Sequence, residues 1–264
     1  MNKIQKIFKA TALLLQKPYL LNKIIDDNDV WRKRVIKDFG MDALSEIKLQ
    51  QFMEDGGVSV KPFSFMEGGS LPTDLALLRL LAKKFDQCRY FEIGTWRGES
   101  AANVAEVAFE CTTMNLSAGE MRNQGISSDY IDQYAMFSKG ISNITHLEGN
   151  SLDFDFEGLN RKYDLIFIDG DHHYESIRKD TQNIFRHLLH ENTIVVWHDY
   201  AWQPSNIRFE TMAAILGGVP EHMRQHIYAV RNTLCAVFFP GDIKSYDASS
   251  VARKDEAFTL VVKS

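Results

Sequence analysis

From Leu71 onward the chain alternates short apolar runs with helix-patterned stretches, and this alternation restricts the fold more than any other feature. PTDLALLRLLAKKF (72–85) carries apolar residues at helical spacing, with Thr73 or Asp74 placed near its start. CRYFEIG (88–94) then reads as a strand and ESAANVAEVAFE (99–110) as a helix. TTMNLS (112–117), NITHLEG (143–149), YDLIFID (163–169) and NTIVVWHD (192–199) read as four further strands. A helix over 174–190 separates the last two. HIYAVRNTLCAVFF (226–239) and AFTLVVKS (257–264) each predict a closing strand. Strand and helix alternating in this way build a parallel sheet with helices on both faces. Ligands of such sheets bind beyond the carboxyl ends of the strands. Residues at those ends are therefore the first candidates for function.

Residues 1–70 have a different texture, helical and loop-like, and close in the glycine-rich EDGGVSVKPFSFMEGGS. The expected division is a helical appendage over 1–70 and one domain over 71–264. A net charge of -5 argues against a nucleic-acid surface spread over the whole protein. Cys88, Cys111 and Cys235 are odd in number and show no CxxC pairing, the pattern of buried free thiols in a reducing cytosol. A cytoplasmic location is expected on that basis. No run approaches the roughly 20 apolar residues of a membrane span. The first 25 residues contain Lys3, Lys6, Lys9, Lys17 and Lys23 and no acidic residue. At helical spacing Ile4, Ile7, Phe8, Thr11, Leu14 and Leu15 share one face. That face suits peripheral membrane contact through residues 1–25. It equally suits packing against the domain or, in a homo-oligomer, against a second subunit.

Two strand ends carry the chemistry. The first strand runs into FEIGTWRGES (91–100) and then a helix. A dinucleotide loop of the G-x-G-x-x-G kind needs a bare second glycine so that backbone can approach a pyrophosphate. Trp96 stands there instead, so the turn between Gly94 and Gly98 suits a nucleoside ligand without a pyrophosphate. The stretch LIFIDGDHHYES (165–176) crowds Asp169, Asp171, His172 and His173 into the end of a buried strand. Asp169 ends that strand and Asp199 ends the next. If the two strands are parallel neighbours, about 4.8 Å apart, their carboxylates converge and repel unless a cation or proton lies between them. A divalent metal, Mg or Mn, is the natural resolution for oxygen ligands, with His198 beside it as a further metal candidate. His172 has the chemistry of a general base. Asp171 reads as a turn or capping residue and His173 as exposed or packed. Arg178 and Asp180 read as a solvated helix face.

These motifs together resemble the class I S-adenosylmethionine-dependent methyltransferases. The resemblance runs from FEIGTWRGES through the second strand, EGNS (148–151), IDGDHHYES (168–176) and VVWHDY (195–200), covering roughly residues 71–264. Within that class the chain is most similar to the catechol-O-methyltransferase-like branch and its metal-dependent sugar O-methyltransferases. The resemblance implies a Rossmann-like, seven-stranded, mostly parallel sheet with helices on both faces and a helical N-terminal appendage. It implies S-adenosyl-L-methionine as cofactor, with Glu92, Gly94, Thr95, Gly98 and Ser100 lining its methionine and ribose end. Asn115 stands where the family usually places an acidic residue on the ribose hydroxyls, and Asn150 and Ser151 match the adenine side. The Asp-x-x-His pattern of Asp169 and His172 implies metal ligand and catalytic base, with Asp169, His198 and Asp199 around the metal. The implied reaction is methylation of a hydroxyl on a saccharide or small metabolite. A metal-free methyltransferase and a non-catalytic nucleoside-binding protein of the same fold are the alternatives.

Overall fold

Tyr90 and Phe91 are adjacent, fully buried, and belong to separate apolar clusters on the two faces of one sheet. Leu165 and Ile166 divide in the same way, as do Val195 and Val196. Alternate side chains of a strand point to opposite faces, so a strand buried on both sides reads as a continuous apolar run. That is why LIFI (165–168) and TIVVW (193–197) are unbroken by charge.

The structure is a computed structural model describing residues 1–17, 27–53, 57–66, 68–248 and 258–261. Its helices are α1 (Lys3–Gln16), α2 (Asn28–Phe39), α3 (Pro72–Ala82), α4 (Glu99–Ala105), α5 (Ala118–Asn123), α6 (Ser128–Asp132), α7 (Tyr174–His187) and α8 (Phe209–Gly218). Its strands are β1 (Glu46–Lys48), β2 (Arg89–Ile93), β3 (Glu110–Asn115), β4 (Ile144–Glu148), β5 (Tyr163–Ile168), β6 (Leu189–Trp197), β7 (Ala201–Gln203), β8 (Asn206–Ile207), β9 (Ile227–Arg231) and β10 (Ala236–Phe238). Eight strands form one sheet in the order β1-β9-β10-β6-β5-β2-β3-β4, while β7 and β8 form a separate antiparallel ribbon. From β6 through β4 all neighbours are parallel, and β10 runs antiparallel to both β6 and β9. The chain winds outward through β2, β3 and β4, then returns to lay β5 and β6 on the other side of β2. The topological switch point therefore falls between β2 and β5, where sheets of this kind hold their ligands.

One face of the sheet is covered by α7 and α8, whose Ile177, Ile184, Met212 and Ile215 pack on Phe91, Ile166 and Trp197, with Val35 of α2 in the same cluster. The other face is covered by α3 and α4 through Leu77, Leu78, Leu81 and Val104. Pro72 opens α3, where its fixed φ is suited and its missing N–H costs nothing. The Asp74 carboxylate accepts from the backbone N–H of Leu71 at 2.7 Å.

Three details differ from the sequence expectation. Residues 226–239 form a hairpin of two strands rather than one, because Asn232 turns the chain with φ +63°, a left-handed conformation that asparagine tolerates. Residues 258–261 lie in no strand, and 257 and 262–264 lie outside the described residues. Glu46–Lys48, within the stretch read as helical and loop-like, pairs in parallel with β9 and brings the main sheet to eight strands.

Candidate active site

The carboxyl ends of five parallel strands surround a cleft of about 710 Å³ at the switch point. That volume lies within the usual range for small-molecule sites. One half is built by the glycine turn after β2. A Cβ on Gly94 would sit 1.9 Å from the carbonyl oxygen of Asp169, and one on Gly98 would sit 2.1 Å from Ser138 Oγ. Both glycines also have positive φ, +102° and +79°. They are required by the close approach of neighbouring chain, so the turn is fixed by its packing before any ligand enters. Trp96 is a positive-φ residue as well, and its indole stacks on Tyr130 with ring centroids 5.1 Å apart. Its Nε1 is buried without a hydrogen-bond partner, a free donor on the wall of the cleft.

Gly94, Thr95, Gly98, Ser100, Asn115, Asn150 and Ser151 all line this cleft, as do Asp169, His172, His198 and Asp199. Glu92 does not. It is fully buried beneath the turn, accepting from Tyr90 Oη at 2.6 Å and Thr113 Oγ1 at 2.7 Å. The Thr113 hydroxyl lies 2.6 Å from that of Thr95, which reaches the cleft wall. Burial pushes the Glu92 carboxyl up to about 7, with hydroxyl donors only partly opposing it. Asn115 accepts from the Trp96 backbone N–H at 3.4 Å, tying the end of β3 to the glycine turn. Asn150 shapes its own turn by accepting from the Leu152 N–H at 3.1 Å.

The other half is charged. His172 Nδ1 lies 2.9 Å from Asp199 Oδ2. His198 Nδ1 lies 3.2 Å from Asp199 Oδ1 and 3.3 Å from Asp169 Oδ1, while its Nε2 faces Asp74 Oδ2 at 3.2 Å. Arg208, on the segment between β8 and α8, approaches Asp199 at 3.5 Å and donates to the His172 carbonyl at 3.3 Å. Burial pulls the His172 imidazole down, but the Asp199 carboxylate bonded to it overcomes this and leaves its pKa raised. Burial pushes Asp199 up, yet the hydrogen bonds and charges of His172 and His198 hold it far below the usual carboxylate range. His198 is itself raised, because the charges of Asp169, Asp199 and Asp74 outweigh the cost of burying it. One ligand atom each of Asp169, His172 and Asp199 lies within 4.8 Å of the others, close enough to share one ion.

Asp74 is the residue that sequence reasoning missed. It is wholly buried and accepts from the Leu234 N–H at 2.8 Å while facing His198, so α3, β6 and the β9–β10 turn are joined through it. Its partners are 124 and 160 residues away, and no local pattern signals them. Arg208 was missed too, since no motif singles it out although Asp199 lies only nine residues before it. Asp180, read as part of a solvated face, is instead buried, and burial pushes its carboxyl up to about 7. Here a signal existed. Ile177, Asp180, Thr181 and Ile184 follow the i, i+3, i+4, i+7 spacing of the buried face of α7. Asp171 accepts from Ser176 Oγ at 2.6 Å in the first turn of α7, a local structural role, and the His173 side chain is 80% exposed.

A mostly parallel sheet with its cleft at a switch point of this order defines a Rossmann-like ligand-binding fold. Residues 91–200 match the family described as "Methyltransferase domain". The matched span contains the glycine turn and every strand end that lines the cleft. No curated protein sequence matches the chain. Among solved structures it is similar to the methyltransferase PaMTH1 of Podospora anserina, at 18% identity and TM-score 0.44, over 65% of this chain and 80% of that one. It is also similar to a proposed O-methyltransferase of Klebsiella pneumoniae, at 16% identity and TM-score 0.43, over 86% and 97%. Against YcgJ of Bacillus subtilis the identity is 17% and the TM-score 0.33, over 47% of this chain and 48% of that one.

Proposed function

We propose that the protein transfers a methyl group from S-adenosylmethionine to a hydroxyl of a saccharide or small metabolite, with His172 as the base. The observation that carries this reading is the 2.9 Å pairing of His172 Nδ1 with Asp199 on the cleft wall. Asp199 fixes the imidazole with its Nδ1 side engaged, leaving Nε2 to take a proton. A sugar hydroxyl does not ionise unaided at neutral pH, so a base with a raised pKa beside the acceptor is the group the reaction needs.

The fit to the cofactor rests on the donor set of the uncharged half. Asn115, Asn150 and Ser151 offer neutral donors and acceptors suited to ribose and adenine. The unpartnered Trp96 Nε1 offers one more donor. When bound, S-adenosylmethionine supplies an electrophilic methyl on a sulfonium. His172 Nε2 receives the proton of the acceptor hydroxyl as its oxygen bonds to the methyl carbon and the carbon–sulfur bond breaks. Arg208 and His198 keep Asp199 ionised throughout, so the proton remains on the imidazole. On the acceptor side, the exposed indole of Trp202 lies 5.9 Å from the Arg208 guanidinium, offering an apolar face beside a donor as sugars require.

A divalent cation, Mg or Mn, is the second reading, favoured by the convergence of Asp169, Asp199 and His172. Such an ion supplies stabilisation of the developing oxyanion. Asp169 and Asp199 would hold it. His198, with both ring nitrogens facing carboxylates, acts as their counter-charge rather than as a third ligand. The test is release of S-adenosylhomocysteine across a panel of sugar and catechol acceptors, with and without EDTA. Methylation at oxygen is the expected product, and methylation at nitrogen or carbon would overturn the reading. Full activity in EDTA would assign charge compensation to His198 and Arg208 alone. Loss of activity restored by Mg or Mn would establish the ion.

A further inference from the structure

The helix α1 presents an apolar stripe that nothing among the described residues covers. None of its residues is buried. Ile4 is 65% exposed, Ile7 64%, Phe8 73% and Leu15 80%. At 100° per residue, Ile4, Ile7, Phe8, Thr11, Leu14 and Leu15 fall within one arc of about 120°. Lys3, Lys6 and Lys9 lie outside that arc, with Leu13 the one large apolar residue among them. The helix is a defined element. Asn2 accepts from the Gln5 N–H at 2.9 Å, and the Gln5 side chain accepts from the Asn2 N–H at 3.0 Å, which caps its start.

We propose that α1 is a peripheral anchor that lies in the interface of an anionic lipid membrane. Charge complementarity selects this occupant. The chain as a whole carries a net charge of -5, yet its first 25 residues contain five lysines and no Asp or Glu. The acidic body of the protein is repelled by anionic lipid, and the cationic helix is the part of the sequence that is attracted to it. An apolar stripe flanked by lysines buries its side chains among acyl chains while the ammonium groups remain at the headgroups. Among the described residues no helix is long and apolar enough to cross a membrane, so contact of this kind is at the surface. The result would hold the methyltransferase cleft near acceptors displayed on that surface.

The test is flotation of the full-length protein with vesicles of phosphatidylcholine and phosphatidylglycerol, compared with phosphatidylcholine alone. Each basic residue near an anionic surface contributes about fivefold in partitioning, so Lys6→Glu should lower binding by at least about that factor. Phe8→Glu should lower it by about tenfold or more, and 0.5 M salt should weaken the wild type. Both positions are exposed and outside the cleft, so far-ultraviolet circular dichroism and S-adenosylhomocysteine binding should not change. No flotation of the wild type would overturn the proposal. Flotation unaltered by Phe8→Glu, or equal on neutral and anionic vesicles, would also overturn it. Sedimentation velocity supplies the last arm. Self-association abolished by Phe8→Glu, without flotation, would assign the stripe to a second copy of the chain instead.

Discussion

Glu92, buried beneath the glycine turn, and Asp199, on the cleft wall, are both carboxylates near strand ends, and their pKa values move in opposite directions. Burial acts on the two in the same direction, against ionisation. Glu92 meets only hydroxyls, from Tyr90, Thr113 and Ser100, and its pKa is raised to about 7. Asp199 meets two imidazoles and the Arg208 guanidinium, and it is held far below the ordinary range. Neutral donors do not offset desolvation here, whereas cationic donors do. The neutral half of the cleft is thereby suited to holding a cofactor in place. The charged half is suited to moving a proton.

The largest expected effect breaks the charged side. His172→Ala should lower kcat by about 10²–10⁴-fold, the usual share of a general base, while S-adenosylhomocysteine affinity changes by less than about twofold, since a base acts in the transition state. Activity should rise with pH through the His172 pKa, which lies above the ordinary histidine value because of Asp199. Asp199→Asn removes that cause, so the acid limb of the profile should move to lower pH as the rate falls. A limb that stays in place would separate His172 from Asp199.

A third buried carboxylate sharpens the comparison. Asp74 answers the backbone N–H groups of Leu71 and Leu234 as well as His198. Asp74→Ala would leave these donors buried and unmet. It should cost on the order of 3–5 kcal/mol in chemical denaturation. A loss under about 1 kcal/mol would show that water or neighbouring groups replace it.

The neutral side gives a smaller effect, with the opposite sign. The folded pKa of Glu92, about 7, exceeds its ordinary value of 4.5, so the folded state holds this proton longer than the unfolded state. The resulting stabilisation is fully present below about pH 4.5 and is lost as pH rises through about 7. Glu92→Gln, which mimics the protonated acid, should therefore be more stable than wild type at pH 8. A shift of this size corresponds to about 3 kcal/mol at most, and the gap should close at pH 5. Thermal unfolding at the two pH values checks it, and a Gln variant less stable at pH 8 would contradict the assignment.

The parts legible in the sequence are those governed by neighbours along the chain. The strands β5 and β6 were readable because each carries a continuous apolar run, and β2, β3 and β4 because their short β-patterned stretches recur along the chain at the spacing of an alternating sheet. The convergence of Asp169 and Asp199 followed from adjacent strand ends, whereas the contact of His172 with Asp199 did not. The strand Glu46–Lys48 has one buried residue, Ile47, in three, too short for any periodicity to show. The hairpin at Asn232 was hidden because Thr233, Leu234 and Cys235 continue the apolar texture across the turn. Glu92 was read as a cofactor contact because the resemblance places it in the same motif as Gly94, Thr95 and Gly98, which line the cleft where it does not. Its own alternation in β2 turns it to the face of Tyr90, beneath the turn. Asp74 could not be assigned its partners from sequence at all, since its role depends on contacts that exist only after α3, β6 and the β9–β10 turn have packed together.

The most direct measurement is calorimetric titration of the full-length protein with S-adenosylhomocysteine and, separately, with NAD. The glycine turn with Trp96 at its centre and the neutral side chains of Asn115 and Asn150 predict one S-adenosylhomocysteine per chain and no heat with NAD. Asn115→Ala should weaken the affinity by about fivefold, the worth of one hydrogen bond near 1 kcal/mol. Binding of NAD with no response to S-adenosylhomocysteine would contradict the account.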